Sequence, residues 1–134
     1  MNSEFALALH AMILMVYSEQ ELLTSSALSE KLNVHPVRIR KILALLKKNG
    51  LIESREGIHG GFSLNCNPDK VTLKEIYNIT QKDVLKPRCH DCSKHCRIGA
   101  NIENVLIQIF EKADENVQDF LEEYTLRKVV KMIG

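Results

Sequence analysis

The chain has 134 residues, 45% of them hydrophobic and 26% charged, with 18 Lys+Arg against 17 Asp+Glu and a net charge of +1. That is ordinary globular composition, which excludes long-range disorder, a globally basic coat protein and an acidic tail protein. The first apolar run, Phe5 to Tyr17, spans 13 residues with no basic leader or small-residue cleavage site. A bilayer needs about 20 residues, so this run is expected to be a buried helix of a cytoplasmic protein with no membrane partner.

In chain order, a first helix is expected from Ser3 to Tyr17, apolar nearly all round and therefore central in a core. Thr24-Ser25-Ser26 can cap a second helix whose body is Ala27 to Leu32. Asn33-Val34 breaks it, and Pro36 suits the first turn of a third helix reaching Lys48, because a missing N–H is harmless there. Ile39, Ile42, Leu43 and Leu46 follow the 3-4 spacing and make one face of that helix. Asn49-Gly50 stops it. Two extended runs, Leu51 to Arg55 and Phe62 to Asn65, flank a glycine-rich turn and read as a β-hairpin. Val71 to Ile76 opens a further helix, with Thr72 and Glu75 in the capping-box relation.

Residues 82–99 read as irregular. After them Ile102, Val105, Leu106, Ile109, Phe110, Ala113, Val117, Phe120 and Leu121 repeat at helical spacing. A helix from Ala100 to Glu123 would be about 36 Å long, against a radius of gyration of about 14 Å for a domain of this size. Its apolar stripe would stand exposed on a lone chain, so a second copy is expected to cover it. A short last helix, Leu126 to Ile133, can pack back on the body.

Charge is balanced overall but not locally. From Lys31 to Arg55 there are seven basic residues and one acid, a net +6, and from Glu103 to Glu123 seven acids and one base, a net −6. A basic working end and an acidic end held away from it are implied. Helix, helix-turn-helix and β-hairpin in this order make the winged-helix plan, and the +6 stretch covers the part that meets DNA in that plan. The fold class is thus mainly α with a small β-hairpin: a winged helix-turn-helix head plus a long C-terminal dimerisation helix. Residues 1–80 form the head, 81–99 a cysteine-containing sensor loop, and 100–134 the dimerisation and C-terminal helices.

Nearly the whole chain resembles the Rrf-two (Rrf2) family of bacterial winged-helix transcription regulators. The resemblance is carried by Leu28-Ser29-Glu30-Lys31-Leu32-Asn33-Val34, by Val37 through Ile52, by the wing Gly57-Ile58-His59-Gly60-Gly61-Phe62-Ser63-Leu64, and by Val71 to Ile76. It implies a homodimer formed by the long helix, with two winged heads on a near-palindromic operator in double-stranded DNA. Many members of the family respond to redox state, nitric oxide, iron–sulfur supply or cysteine status. Cys96-Arg97-Ile98-Gly99 is similar to the Cys-Pro-Val-Gly segment of a subgroup, with Arg97 where that subgroup has proline. That subgroup does not generally keep the trio that binds a cluster.

In that plan the third helix enters the major groove nose first, exposing His35, Pro36, Val37, Arg38, Arg40 and Lys41. Arg38 and Arg40 can each present a planar fork to guanine. They lie about 200° apart around the helix, so one is expected to read bases while the other clamps phosphate. Ser25 and Ser26, with the amides at the start of the second helix, can hold a phosphate. Lys47, Lys48 and Arg55 are expected on the backbone, and His59 at the wing tip in the minor groove.

Cys89-His90-Asp91-Cys92-Ser93-Lys94-His95-Cys96 places three thiols and two imidazoles within eight residues. In a cytosolic protein such density points to metal or redox chemistry. Cys89, Cys92 and Cys96, with His90 or His95 or a partner residue, could bind zinc or an iron–sulfur cluster. Alternatively the thiols switch without metal, since Cys96 lies near a helix start beside Lys94 and Arg97. A third alternative is an inert loop. Cys66 is read as packing, His10 as a satisfied helix residue. The resulting expectation is a DNA-binding regulator, acting as a repressor, whose affinity is set by the cysteine loop. The rival is a small thiol-disulfide or metal-binding protein without a regulatory role. Catalysis is not expected, because no βαβ pattern surrounds Cys89-x-x-Cys92 and no phosphate-binding glycine loop exists.

Overall fold

A computed structural model describes residues 3–18, 20–81, 85 and 97–134 of the protein. Its elements are α1 (Glu4–Tyr17), α2 (Ser25–Leu32), α3 (Pro36–Lys48), β1 (Ile52–Arg55), β2 (Gly61–Leu64), α4 (Leu73–Thr80), α5 (Arg97–Glu122) and α6 (Leu126–Ile133). The fold class expected from the sequence is the one observed.

α1 is the centre of the head. Leu7, Ala8, Ala11, Met12, Ile13, Met15 and Val16 are all buried on it. All but Ala11 meet Leu28 of α2, Ile39, Ile42, Leu43 and Leu46 of α3, Ile52 of β1 and Ile76 of α4 in one core. A helix apolar on most sides can be covered only from several directions, which is why three helices and the hairpin gather round it.

α3 occupies the expected residues from first to last. Pro36 sits in its first turn, and its end is fixed by Gly50, whose φ of +76° is a left-handed conformation that glycine adopts without penalty. β1 and β2 pair antiparallel with Ile52 opposite Leu64 and Arg55 opposite Gly61. Leu23 adds a short third rung: its N–H donates to the Phe62 carbonyl at 3.0 Å and the Phe62 N–H returns to Leu23 at 2.8 Å. That rung anchors the base of the wing to the segment leading into α2.

Four local expectations are corrected. Thr24 alone caps α2, its Oγ1 accepting the Ala27 N–H at 3.0 Å, so Ser25 and Ser26 lie inside the first turn. The first helix starts at Glu4, not Ser3, which precedes it without a side-chain cap bond. Thr72 likewise makes none, so no capping box forms with Glu75; the Thr72 backbone bridges Thr125 instead. The long helix starts at Arg97, not Ala100, because Gly99 is taken up within its first turn.

α6 returns to the head as expected. Leu126 is fully buried in the same core, and its N–H donates to the Val71 carbonyl at 3.0 Å. Thr125 caps α6 through the Lys128 N–H at 3.1 Å. The Leu73 N–H reaches Tyr124 O at 2.9 Å, so the far end of α5 is sewn to the start of α4. Cys66 is half-buried and packs against the core. His10 is exposed on α1.

Candidate nucleic-acid interface

α2, the three residues Asn33-Val34-His35 and α3 form the helix-turn-helix. Asn33 takes a left-handed φ of 53°, a conformation asparagine tolerates, and the Val34 N–H donates to Ser29 O at 3.1 Å. The His35 Nδ1 accepts the Val37 N–H at 3.2 Å and closes the start of α3. That ring nitrogen is therefore engaged in the helix cap, although His35 itself is exposed.

The two sides of α3 differ sharply. Ile39, Ile42, Leu43 and Leu46 are at most 2% exposed, so the helix is fixed to the core along its whole inner side. Pro36, Val37, Arg40, Lys41, Ala44, Lys47 and Lys48 are all exposed on the outer side. Arg38 lies between the two. Its Nη2 is 3.0 Å from Glu4 Oε1 and its Nε donates to the same oxygen at 3.1 Å. The guanidinium also donates to the Ser3 hydroxyl. The two arginines thus diverge as their spacing demands: Arg40 faces solvent, and Arg38 is tied back to the start of α1.

Ser25 is half-buried and Ser26 exposed at the start of α2. Arg55 ends β1 on the surface, and His59 is exposed at the wing tip beside Ile58, which is 97% exposed. The tip is shaped by Gly60, where a Cβ would run into the Arg55 carbonyl. The structure therefore brings Arg40, Lys41, Lys47, Lys48, Arg55 and His59 to the surface.

On α5, Val105, Ile109 and Phe120 are each more than half exposed, at 52%, 55% and 57%, and Ile102, Phe110 and Val117 are also exposed. Leu106 and Ala113 are half-buried, and Leu121 packs against the core. Ile98, one turn before Ile102, extends the exposed stripe and lies in the expected irregular region; its helical spacing from Ile102 was the available signal. Ala44 was missed on α3 for want of a charge, although it falls seven residues after Val37.

Cys89, His90, Cys92, His95 and Cys96 lie outside the described residues. Among the described residues no three His, Cys, Asp or Glu side chains gather as a metal site. Burial, and secondarily the nearby Glu75 carboxylate, pushes the Cys66 thiol up from its ordinary pKa. No helix of the described residues is long and apolar enough to cross a membrane.

Comparison with known proteins agrees with this geometry. A family profile described as Rrf2, an iron-dependent transcriptional regulator, matches residues 1–132. YwnA of Bacillus subtilis, which carries the name of an HTH-type transcriptional regulator, is 32% identical over 130 residues, covering 96% of each chain. The crystal structure of a transcriptional regulator from Lactobacillus plantarum superposes with a TM-score of 0.81 at 26% identity, covering 96% of this chain and 88% of the other. CymR of Bacillus subtilis, titled the global cysteine regulator, shares the fold with a TM-score of 0.70 at 17% identity, covering 98% and 96%. Members of the matched family regulate transcription and are not enzymes. The helix-turn-helix, the wing, the long α5 and these full-length similarities together place the chain in the Rrf2 family of winged-helix, DNA-binding transcriptional regulators.

Proposed function

We propose that the protein is a homodimeric, sequence-specific repressor that binds a near-palindromic operator through α3 and the wing. The observation that carries this reading is the pairing, on one chain, of an exposed cationic side of α3 with an exposed apolar stripe on α5. Among the described residues both sides stay open to solvent, apart from the contact of Phe120 with the Tyr124 ring. Duplex DNA answers the first by charge, and a second copy answers the second by burying equivalent stripes on one another. Two heads then enter successive major grooves about 34–36 Å apart.

Within this reading Arg40 is the base reader, with a fork suited to guanine. Lys41, Lys47, Lys48, Arg55 and the start of α2 at Ser25 and Ser26 hold phosphates. His35 and Pro36 set the nose of α3, and His59 follows the minor groove. Arg38 braces α3 against α1 through Glu4. The dimer forms over Ile102, Val105, Leu106, Ile109, Phe110, Ala113, Val117 and Phe120. Residues 1–80 serve as the head, 81–99 as the sensor and 100–134 as the dimerisation and C-terminal helices, with α6 folded back on the head.

The loop Cys89 to Cys96 supplies the signal. Its thiolate and imidazole donors fit zinc or an iron–sulfur cluster, which Cys89, Cys92, Cys96, His90 and His95 would hold. Bound there, zinc would cross-link the loop and a cluster would make it responsive to redox state. Without metal, two thiols can be oxidised by a peroxide to a disulfide. The loop leads directly into Arg97, the first residue of α5, so its state bears on the helix that spaces the heads.

Sedimentation combined with gel shifts on DNA upstream of the protein's own coding sequence tests the proposal. A dimer is expected whose DNA affinity falls with salt and changes between reduced, peroxide-treated and metal-loaded protein. Equal affinity in every state would remove the sensor role. A monomer with thiol-disulfide turnover and no DNA binding would favour the rival reading.

A further inference from the structure

The outer side of α3 is not uniformly cationic. At about 100° per residue, Val37 and Ala44 fall within about 20° of each other. Arg40 and Lys47 lie to one side of that line and Lys41 and Arg38 to the other. Over the first two turns of α3 the centre of the side that faces solvent is therefore aliphatic with basic margins, and Lys48 returns to the same line only at the far end of the helix. Val37 is 48% exposed in the first turn of α3. Its neighbour Arg38 is drawn away to Glu4 and Ser3, which leaves the exposed Pro36 and the isopropyl group of Val37 to present the first turn of the helix.

An exposed valine at this place is not required by the fold. The core is closed by Ile39, Ile42, Leu43 and Leu46, and Val37 is absent from it. Nor does helix propensity favour it, since a β-branched residue loses rotamer freedom in a helix. Its surroundings match the cross-section of a major groove, with Lys41 and Lys47 toward the phosphates at the two edges and Val37 and Arg40 toward the base edges on the floor. The one aliphatic feature of that floor is the 5-methyl group of thymine.

We propose that Val37 reads the 5-methyl group of a thymine on the floor of the major groove, one helical turn from the base contacted by Arg40. This rests on the reading of α3 as the groove-entering helix. Val37 and Arg40 are three residues apart, a rise of about 4.5 Å along α3, roughly one to two base steps of duplex at about 3.4 Å each. The expected half-site therefore contains a thymine within two steps of a guanine. Ala44, two turns further along, is too short to substitute for Val37 at the same base.

The test uses the full-length protein and duplexes that it selects from a random pool. In the selected sequence each thymine is replaced in turn by deoxyuridine, which removes only the methyl group. For the wild type, one position per half-site should lose about fourfold in affinity, the factor expected for one buried methyl-sized group. Val37→Ala should bind the thymine and uracil duplexes equally, and Val37→Thr, which keeps one methyl, should retain part of the discrimination. Circular dichroism of each variant checks that the fold is kept, and alanine is well suited to an exposed helical position. The proposal is overturned if no thymine is sensitive in the wild type, or if Val37→Ala keeps the full uracil effect. Failure to select any duplex would overturn the reading of α3 itself and this inference with it.

Discussion

Tyr77, buried on α4, donates its hydroxyl to the Asp114 carboxylate on α5 at 3.0 Å, and Asp114 also accepts from Gln118 at 2.6 Å. This polar contact fixes the C-terminal half of the long helix to the head. Phe5 of α1 stands edge-on to the Tyr77 ring at 6.1 Å, so the same residue touches the central helix of the head. Removing the hydroxyl with Tyr77→Phe should cost about 1 kcal/mol at neutral pH. Urea denaturation of the two proteins measures it; an unchanged midpoint would show that the contact does not hold α5.

The same contact gives a pH dependence. Burial, then the Asp114 hydrogen bond and charge, raise the Tyr77 pKa above the ordinary phenol value. The neutral phenol is the form the folded state keeps. Its contribution is complete below the unfolded value of about 10 and is lost as pH rises through the higher folded value. Wild-type stability should therefore decline on the alkaline side more steeply than that of Tyr77→Phe. Denaturation midpoints between pH 8 and 11 check this, and parallel declines would contradict it.

Arg38 and Glu4 form a partly exposed pair, which is worth about 0.2–1 kcal/mol. Glu4→Gln should lower stability by no more than that, yet free the Arg38 guanidinium from one of its two anchors, Glu4 of α1 and Ser3 just before it. If Arg38 braces α3, DNA affinity should fall in Glu4→Gln despite the loss of a negative charge near the interface. A rise in affinity would mean that the pair restrains Arg38 from DNA instead.

Cys66 should be the slow thiol of the chain. Its raised pKa leaves less thiolate near neutral pH than an ordinary cysteine has, and it packs against the core. In a variant with Cys89, Cys92 and Cys96 changed to serine, an aromatic disulfide reagent should label Cys66 more slowly in folded protein than in urea. Equal rates would place the thiol in the open. Cys66→Ala should leave any peroxide response of DNA binding unchanged.

Ile109→Asp places a charge in the middle of the α5 stripe, on both copies at once if the dimer is symmetric. Each buried isoleucine contributes about 1.5–3 kcal/mol, so the variant should sediment as a monomer at micromolar concentration. It should also lose most of its affinity for a two-half-site duplex. A stable dimer in this variant would move the interface elsewhere.

The legible parts of the fold are those set by local chemistry. α3 was readable to the residue because Pro36, the Ile39-Ile42-Leu43-Leu46 spacing and Asn49-Gly50 all act within a few positions of each other. The α5 stripe was readable for the same reason. What was hidden depends on segments far apart in the chain. The Arg38–Glu4 pair joins residues 34 positions apart, and the Thr72 backbone bridges Thr125, far along the chain, while its side chain makes no cap bond. The apolar line along the first two turns of α3 is hidden differently: its place in the helix puts Val37 among the groove-facing residues, but the withdrawal of Arg38 from beside it exists only in the folded chain.

The central claim, that the basic margins of α3 grip the phosphates of one duplex in a symmetric dimer, is tested most directly by the salt dependence of binding. Affinity for a selected two-half-site duplex is measured from 50 to 200 mM salt for the wild type and for the double variant Lys47→Ala, Lys48→Ala. The logarithm of the wild-type constant should fall steeply and linearly with the logarithm of salt, and the variant's slope should be shallower by about four, one for each lysine on each of two protomers. An identical slope in the variant, or wild-type binding indifferent to salt, would contradict the account.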